Sequence, residues 1–328
     1  MRFFLSMPAA RSRLPYLVMA TVLTATTVSA VAAPKLLPKA AASTYALQGW
    51  ATQGGGTSGG GSASPVTVTT ASALISNMQA SGARVIRVSG TISLSGMNKV
   101  AANKTIIGVG SGAAITGGGL NVASVSNVII RNINFHDWSD DAINVQYSTR
   151  VWIDHNNFNH GYDGAVDIKR ASDYVTVSWN KFSNHDKVGL VGHSDDNGAE
   201  DRGKLRVTYY DNWFDGTTQR HPRVRFANPV HVFNNYYRGN SGYGVASTCD
   251  AGVYVERNYF ENVQNTVVAQ TGDSPQGNTK LLNNYLVGSG TPVSRNPSKV
   301  AAIPYSYVVD AAESVKSIVT GGAGTGKI

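Results

Sequence analysis

The chain has 328 residues, 42% of them hydrophobic and 15% charged, which is enough apolar matter for one large packed domain or two small ones and excludes a disordered chain. Its formal net charge of +8 points to a polyanionic partner: nucleic acid, an anionic lipid surface or an acidic polysaccharide. The single cysteine, Cys249, excludes an intramolecular disulfide and, without a Cys/His cluster, a zinc site; it reads as a small buried apolar residue.

In chain order, Arg2, Arg11 and Arg13 precede a mostly apolar run from Leu14 to about Ala25. The small residues Val28-Ser29-Ala30 and Val31-Ala32-Ala33 follow, so residues 1–33 read as a secretory signal peptide cleaved after Ala30 or Ala33. The run is shorter than the roughly 20 apolar residues of a membrane span, is dotted with Thr and Ser, and has no stop-transfer charges after it. Cleavage after Ala33 removes three Arg and no acid, lowering the net charge from +8 to +5. The mature domain, residues 34–328, is thus expected to be secreted and extracellular, with no membrane association. The Gly-rich stretch from Ala51 to Ser64 has no assigned element, and TTASALISNMQ, around Ala71 to Gln79, predicts a short helix capping an open end of the fold.

From there the chain repeats. Strand-like segments, each followed by an Asn, recur as NVIIRN, RVWIDHN, YVTVSWN, RVTYYDN, VHVFNN, VYVERN and LLNN. The asparagines are Asn132, Asn156, Asn180, Asn212, Asn235, Asn258 and Asn284, spaced by 24, 24, 32, 23, 23 and 26 residues. Apolar and polar residues alternate within each segment, as at Val151, Ile153 and Val175, Val177, which is the two-residue period of a strand. Strands recurring at this interval predict an all-β parallel β-helix, a solenoid with short capping helices. In it the asparagines form a ladder along the turns. The coil between Asn180 and Asn212 is about eight residues too long, and the polar stretch from Gly192 to Lys204 reads as a solvated loop thrown off it. Asp310 and Glu313 have capping-box spacing ahead of a helix in AAESVKSIV.

Charged residues fall in register with the asparagines. Asp141 lies 9 residues after Asn132, Asp163 lies 7 after Asn156, Lys187 lies 7 after Asn180 and Arg220 lies 8 after Asn212. Stacked strands are about 4.8 Å apart, so Asp163 and Arg220, two coils apart, are expected roughly 10 Å apart along the axis, with room for a sugar unit. In DGAVDIK, Asp167 and Lys169 share the parity of Asp163 and are expected to face solvent while Val166 and Ile168 face the core. Asp141, Asp163 and Asp167 suit a hard cation with oxygen ligands such as calcium, and Lys187, Arg220 and Arg225 suit an anionic substrate.

These residues resemble a known family. VWIDH (Val151 to His155), DGAVDIKRAS (Asp163 to Ser172), KVGL (Lys187 to Leu190) and RHPRVR (Arg220 to Arg225) look like the motifs of the family 1 polysaccharide lyases, the pectate lyases and their pectin lyase relatives. The resemblance implies calcium ligands at Asp141, Asp163 and Asp167, a catalytic base at Arg220 and substrate-carboxylate contacts at Lys187 and Arg225. It also implies a single-stranded right-handed parallel β-helix acting, as a monomer, on polygalacturonate by calcium-dependent β-elimination in plant cell wall degradation. Family members often carry two aspartates one residue apart at the first calcium position; here Ser139 and Asp141 flank Asp140.

Three other readings compete. A pectin lyase would act on methyl-esterified pectin. A β-helix hydrolase of the polygalacturonase type would add water with two carboxylates, for which Asp140 and Asp141 are candidates, but it leaves Lys187 and Arg225 unexplained. A noncatalytic carbohydrate binder needs no register of carboxylates with a base.

Overall fold

The computed structural model describes Met1 and residues 45–328, so the signal segment expected over residues 1–33 lies, beyond Met1, outside the described residues. Among the described residues no helix is long and apolar enough to cross a membrane.

Each recurring segment is a strand that pairs in parallel with its counterpart one coil away. Ser126–Arg131, Thr149–Asp154, Asp173–Ser178, Val207–Tyr210, Val230–Phe233, Gly252–Glu256 and Asn278–Leu282 are successive members of a ten-stranded sheet. Two further parallel sheets, of nine and eight strands, complete the coils and make the fold a parallel β-helix. Register follows side-chain parity: Val128, Val151, Val175 and Val207 are aligned across four strands and wholly buried. A one-residue slip would turn this column out to solvent, so the alternation itself fixes the stacking. In the nine-stranded sheet Phe135, Phe158, Phe182, Phe214, Tyr237 and Phe260 stack with ring centroids 4.4–5.3 Å apart.

The asparagine ladder is present and fully buried over most of its length. Each amide bonds the next Oδ1 from Asn156 through Asn180, Asn212, Asn235 and Asn258 to Asn284, at 2.9–3.0 Å. Asn132 is not a member: Asn156 Oδ1 accepts instead from the backbone N–H of Ile133, at 3.1 Å. Asn132 stands one residue out of register, at a corner with φ of 59°, and bonds Gly108 and Gly110 carbonyls.

Helix α1 (Ala71–Gln79) forms as expected, with Thr70 accepting from the Ala73 N–H and Leu74 and Met78 closing the core beside the first coils. The Gly-rich stretch is a strap across the outer face of the ten-stranded sheet. The N–H of Trp50, just before it, and those of Ala51 and Gly60 within it donate to Thr208, Thr176 and Thr105 hydroxyls. A Cβ at Gly60 would stand 2.1 Å from the Arg84 carbonyl oxygen, so glycine is what lets the strap lie this close.

Outside the sheet, Trp50, Trp179, Tyr210, Phe233, Tyr305 and Tyr307 form a second apolar cluster under the C-terminal segment. A further helix, Val315–Gly322, forms there, but the expected capping box does not. A short 3-10 turn at Ala312–Ser314 precedes the helix, its N-cap is Ala311, and the Asp310 backbone bonds the Asn234 side chain.

Candidate active site

The eight-stranded sheet carries the charged stripe. Asp141, Asp163, Lys187 and Arg220 sit in the turns that enter its strands Ile143–Gln146, Val166–Lys169, Gly189–Val191 and Arg223–Arg225. Parity holds within Val166–Lys169, since Val166 and Ile168 are wholly buried inward and Asp167 points out. The expectation that Asp167 faces solvent does not hold. It is 3% exposed, covered by its neighbours, and Asp141 is 5% exposed.

The turn bearing Asp163 is braced from below. Trp138 donates from Nε1 to the Asp163 carbonyl oxygen at 3.3 Å and packs its ring 4.8 Å from that of His185. Gly161 makes room for the indole, because a Cβ there would overlap it at 1.7 Å. Glycine matters again at Gly164, whose added Cβ would meet Asp167 Oδ1 at 2.2 Å and Asp141 Oδ1 at 3.0 Å. Two carboxylates from adjacent coils thus converge on one small cradle.

Backbone N–H groups of Gly164 and Leu190 donate to these Oδ1 atoms at 3.0 and 3.2 Å. Lys169 Nζ serves both Oδ2 atoms, at 3.2 Å from Asp141 and 3.8 Å from Asp167. Burial, and then the charge of Asp167, push the Asp141 carboxyl up to about 7 although Lys169 pulls it down. Burial likewise raises Asp167 against the pull of Lys169 and Arg220. One ammonium therefore does not satisfy the pair, and an added cation would relieve both.

Asp163 Oδ1 faces the basic end, 3.2 Å from Lys187 Nζ and 3.7 Å from Arg220 Nη1. The roughly 10 Å expected between Asp163 and Arg220 from strand stacking is closed by the length of the arginine side chain, so they meet directly. Among the described residues no three His, Cys, Asp or Glu side chains stand together in ligating positions. The stripe thus joins Asp141 to Asp167, and Asp163 to Lys187 and Arg220.

Arg225 differs from expectation in a useful way. It is 8% exposed, with Nε on Asp195 Oδ1 at 2.6 Å and Nη1 on the Gly192 carbonyl oxygen at 3.0 Å. Both partners belong to the extra loop, which is solvated along Asp196, Ala199 and Arg202 to Lys204 as its polarity suggests but is tied to the coils elsewhere. Asp201, in the short helical turn Gly198–Asp201, is wholly buried and accepts from the Ala171 N–H at 2.8 Å. Arg223 and Tyr243 also belong to the basic end. Tyr243 is 7% exposed, and burial raises its hydroxyl while the charges of Arg223, Arg220 and Arg225 pull it down. Tyr243 carries no sequence signal beyond its place one coil after Arg220.

A parallel β-helix with paired carboxylates beside a cluster of lysine and arginine on one outer face defines a solenoid with an ionic surface site suited to a polyanion. The pectate lyase family model matches residues 19–328, and the chain belongs to that family, whose members are carbon–oxygen lyases acting on polysaccharides. It is 40% identical over 305 residues to a pectate trisaccharide-lyase of Thermotoga maritima, covering 80% of this chain and 82% of that one. It is 34% identical over 283 residues to a pectate trisaccharide-lyase of Bacillus licheniformis, covering 80% and 81%. Among solved structures, a pectate lyase from Bacillus sp. N165 in complex with trigalacturonate superposes with a TM-score of 0.78 at 31% identity, covering 86% of this chain and 99% of that one.

Proposed function

We propose that this lyase cleaves polygalacturonate by calcium-dependent β-elimination, with Arg220 as the base, and that it acts as a secreted monomer on plant cell wall pectate. The observation that carries the reading is the meeting of Arg220, Lys187 and Asp163 beside the Asp141 and Asp167 pair. The relatives named for pectate and the trigalacturonate bound by a structural neighbour support the substrate.

The donor set fits calcium: hard carboxylate oxygens, a side-chain-free cradle at Gly164, and two buried acids short of countercharge. Asp141 and Asp167 would hold the ion, and Asp163, turned here to Lys187 and Arg220, would complete the set. When bound, it neutralises the uronate carboxylate and so favours the negative charge that develops beside it. Lys187 binds the same carboxylate and assists that stabilisation. Arg220, as the base, takes the proton on carbon 5 of a galacturonate unit. The electron pair left behind forms the double bond between carbons 4 and 5 as the bond from carbon 4 to the glycosidic oxygen breaks. That oxygen leaves with a proton from water. Asp140, exposed beside Asp141, has no place in these steps.

The test is the initial rate of unsaturated product on pectins graded in methyl esterification, with calcium present. Demethylated substrate should be turned over fastest, because an ester removes the charge that Lys187, Arg225 and a cation held by the carboxylates would exploit. A rate rising steadily with esterification would identify a pectin lyase instead.

A further inference from the structure

Arg223 and Arg225 are alternate residues of one strand, so both project from the outer face of the eight-stranded sheet, three and five residues beyond Arg220. Three guanidinium groups this close repel one another. The structure supplies a single countercharge from outside the repeat. Asp195, in the extra loop, accepts from Arg225 Nε through Oδ1 at 2.6 Å and from Ser274 Oγ through Oδ2 at 2.6 Å. Ser274 Oγ in turn accepts from Arg223 Nη2 at 2.7 Å. One carboxylate, with a serine as relay, therefore grips both arginines from two loops 79 residues apart.

We infer that Asp195 and Ser274 are positioning residues for uronate binding: the extra loop exists to fix and partly neutralise the Arg223 and Arg225 pair beside the base. The inference rests on the reading of Arg225 as a substrate contact. With Nε and Nη1 bonded into the loop, the rest of the guanidinium is left to face substrate in one orientation, and the ordering cost is met before binding. Charge agrees with geometry. Burial pushes Asp195 up, but hydrogen bonds from Ser274 and Arg225, and the Arg225 charge, hold it down at about 2, so it is ionised wherever the enzyme works. Burial and then Arg225 lower Arg223, which shows the repulsion that Asp195 relieves.

The experiment is a double-mutant cycle on polygalacturonate with Asp195→Ala, Arg225→Ala and the pair, together with Asp195→Asn, Asp195→Glu and Ser274→Ala. Melting temperature is measured for each. Asp195→Ala should raise KM about tenfold with kcat reduced less, and should add little once Arg225 is gone. Asp195→Asn, which keeps hydrogen-bonding capacity without charge, should fall between parent and Asp195→Ala, and Ser274→Ala should raise KM two- to threefold. If Arg225→Ala raises KM and Asp195→Ala leaves it within twofold of the parent, the positioning role is overturned while the substrate role of Arg225 stands. If Arg225→Ala itself leaves KM unchanged, the underlying reading of Arg225 fails first. Losses that follow melting temperature in every variant, with Asp195→Glu no better than Asp195→Ala, would reduce the contact to loop stability and also overturn it.

Discussion

Arg220 keeps 18% of its side chain exposed and contributes to no part of the internal core, so its removal separates chemistry from folding. Arg220→Ala should lower turnover by about 10²- to 10⁴-fold, the usual contribution of a positioned base, with an unchanged circular dichroism spectrum. A folded variant that keeps more than a tenth of the parent rate would show that another group takes the proton. The neighbouring His221 tests the surroundings of the site through pH. It is wholly buried, with Nδ1 donating to the Tyr243 carbonyl oxygen and Nε2 accepting from Thr217 Oγ1, both at 2.8 Å, and burial pushes it down to about 4. The unfolded chain protonates it near its ordinary value of about 6.5. Stability from this group is therefore complete above about pH 6.5 and is lost as pH falls toward 4, on the order of 3 kcal/mol. In urea unfolding across that window, His221→Gln should remove up to one proton from the linkage; an unaltered slope would assign the acid sensitivity elsewhere. Residue identities at the stripe were legible because each charge repeats at a similar distance from its asparagine. The clamp on Arg225 was not, because its partners lie 30 and 33 residues away in a loop with no repeat to place it.

At the scale of the element, the ladder and the extra loop show what a repeat does and does not reveal. Spacing identified the strands and six ladder asparagines, but it tolerates an error of one residue. At Asn132 that error hid a coil in which Ile133 takes the ladder position. The difference is testable. Asn212 is wholly buried, its amide serving Val177 and Tyr210 carbonyls and Asn235 Oδ1 while its own Oδ1 takes the N–H and amide of Asn180. Asn212→Ala strands several buried groups, each costing about 1–3 kcal/mol, so a loss of about 3 kcal/mol or more is expected in denaturant unfolding. Asn132→Gly, off the ladder at a corner whose φ of 59° glycine adopts freely, should cost less, although the Gly108 and Gly110 carbonyls and the Gly326 N–H lose a partner. Equal losses would deny the ladder its special role. The Gly-rich strap was unreadable for a related reason: glycine there answers to the Arg84 carbonyl and the Thr105 side chain, which only the folded sheet brings near.

Taken as a whole molecule, the β-helix keeps stability and chemistry on opposite sides of its sheets. The valine columns and the ring stack lie inside, and the ionic site lies outside. Stripping calcium should thus stop turnover while moving the melting temperature little, and restored calcium should return the rate. A chelator-induced collapse of the circular dichroism signal would mean that the ion is structural. The most direct measurement is of product chemistry. Polygalacturonate is incubated with the purified protein, with calcium or with chelator, and ultraviolet absorbance of the 4,5-unsaturated uronate is followed alongside new reducing ends. β-Elimination assisted by calcium predicts that absorbance and reducing ends rise together with calcium and that both stop in chelator. Reducing ends appearing without the chromophore would be hydrolysis, and would contradict the role assigned to Arg220 and the carboxylates around it.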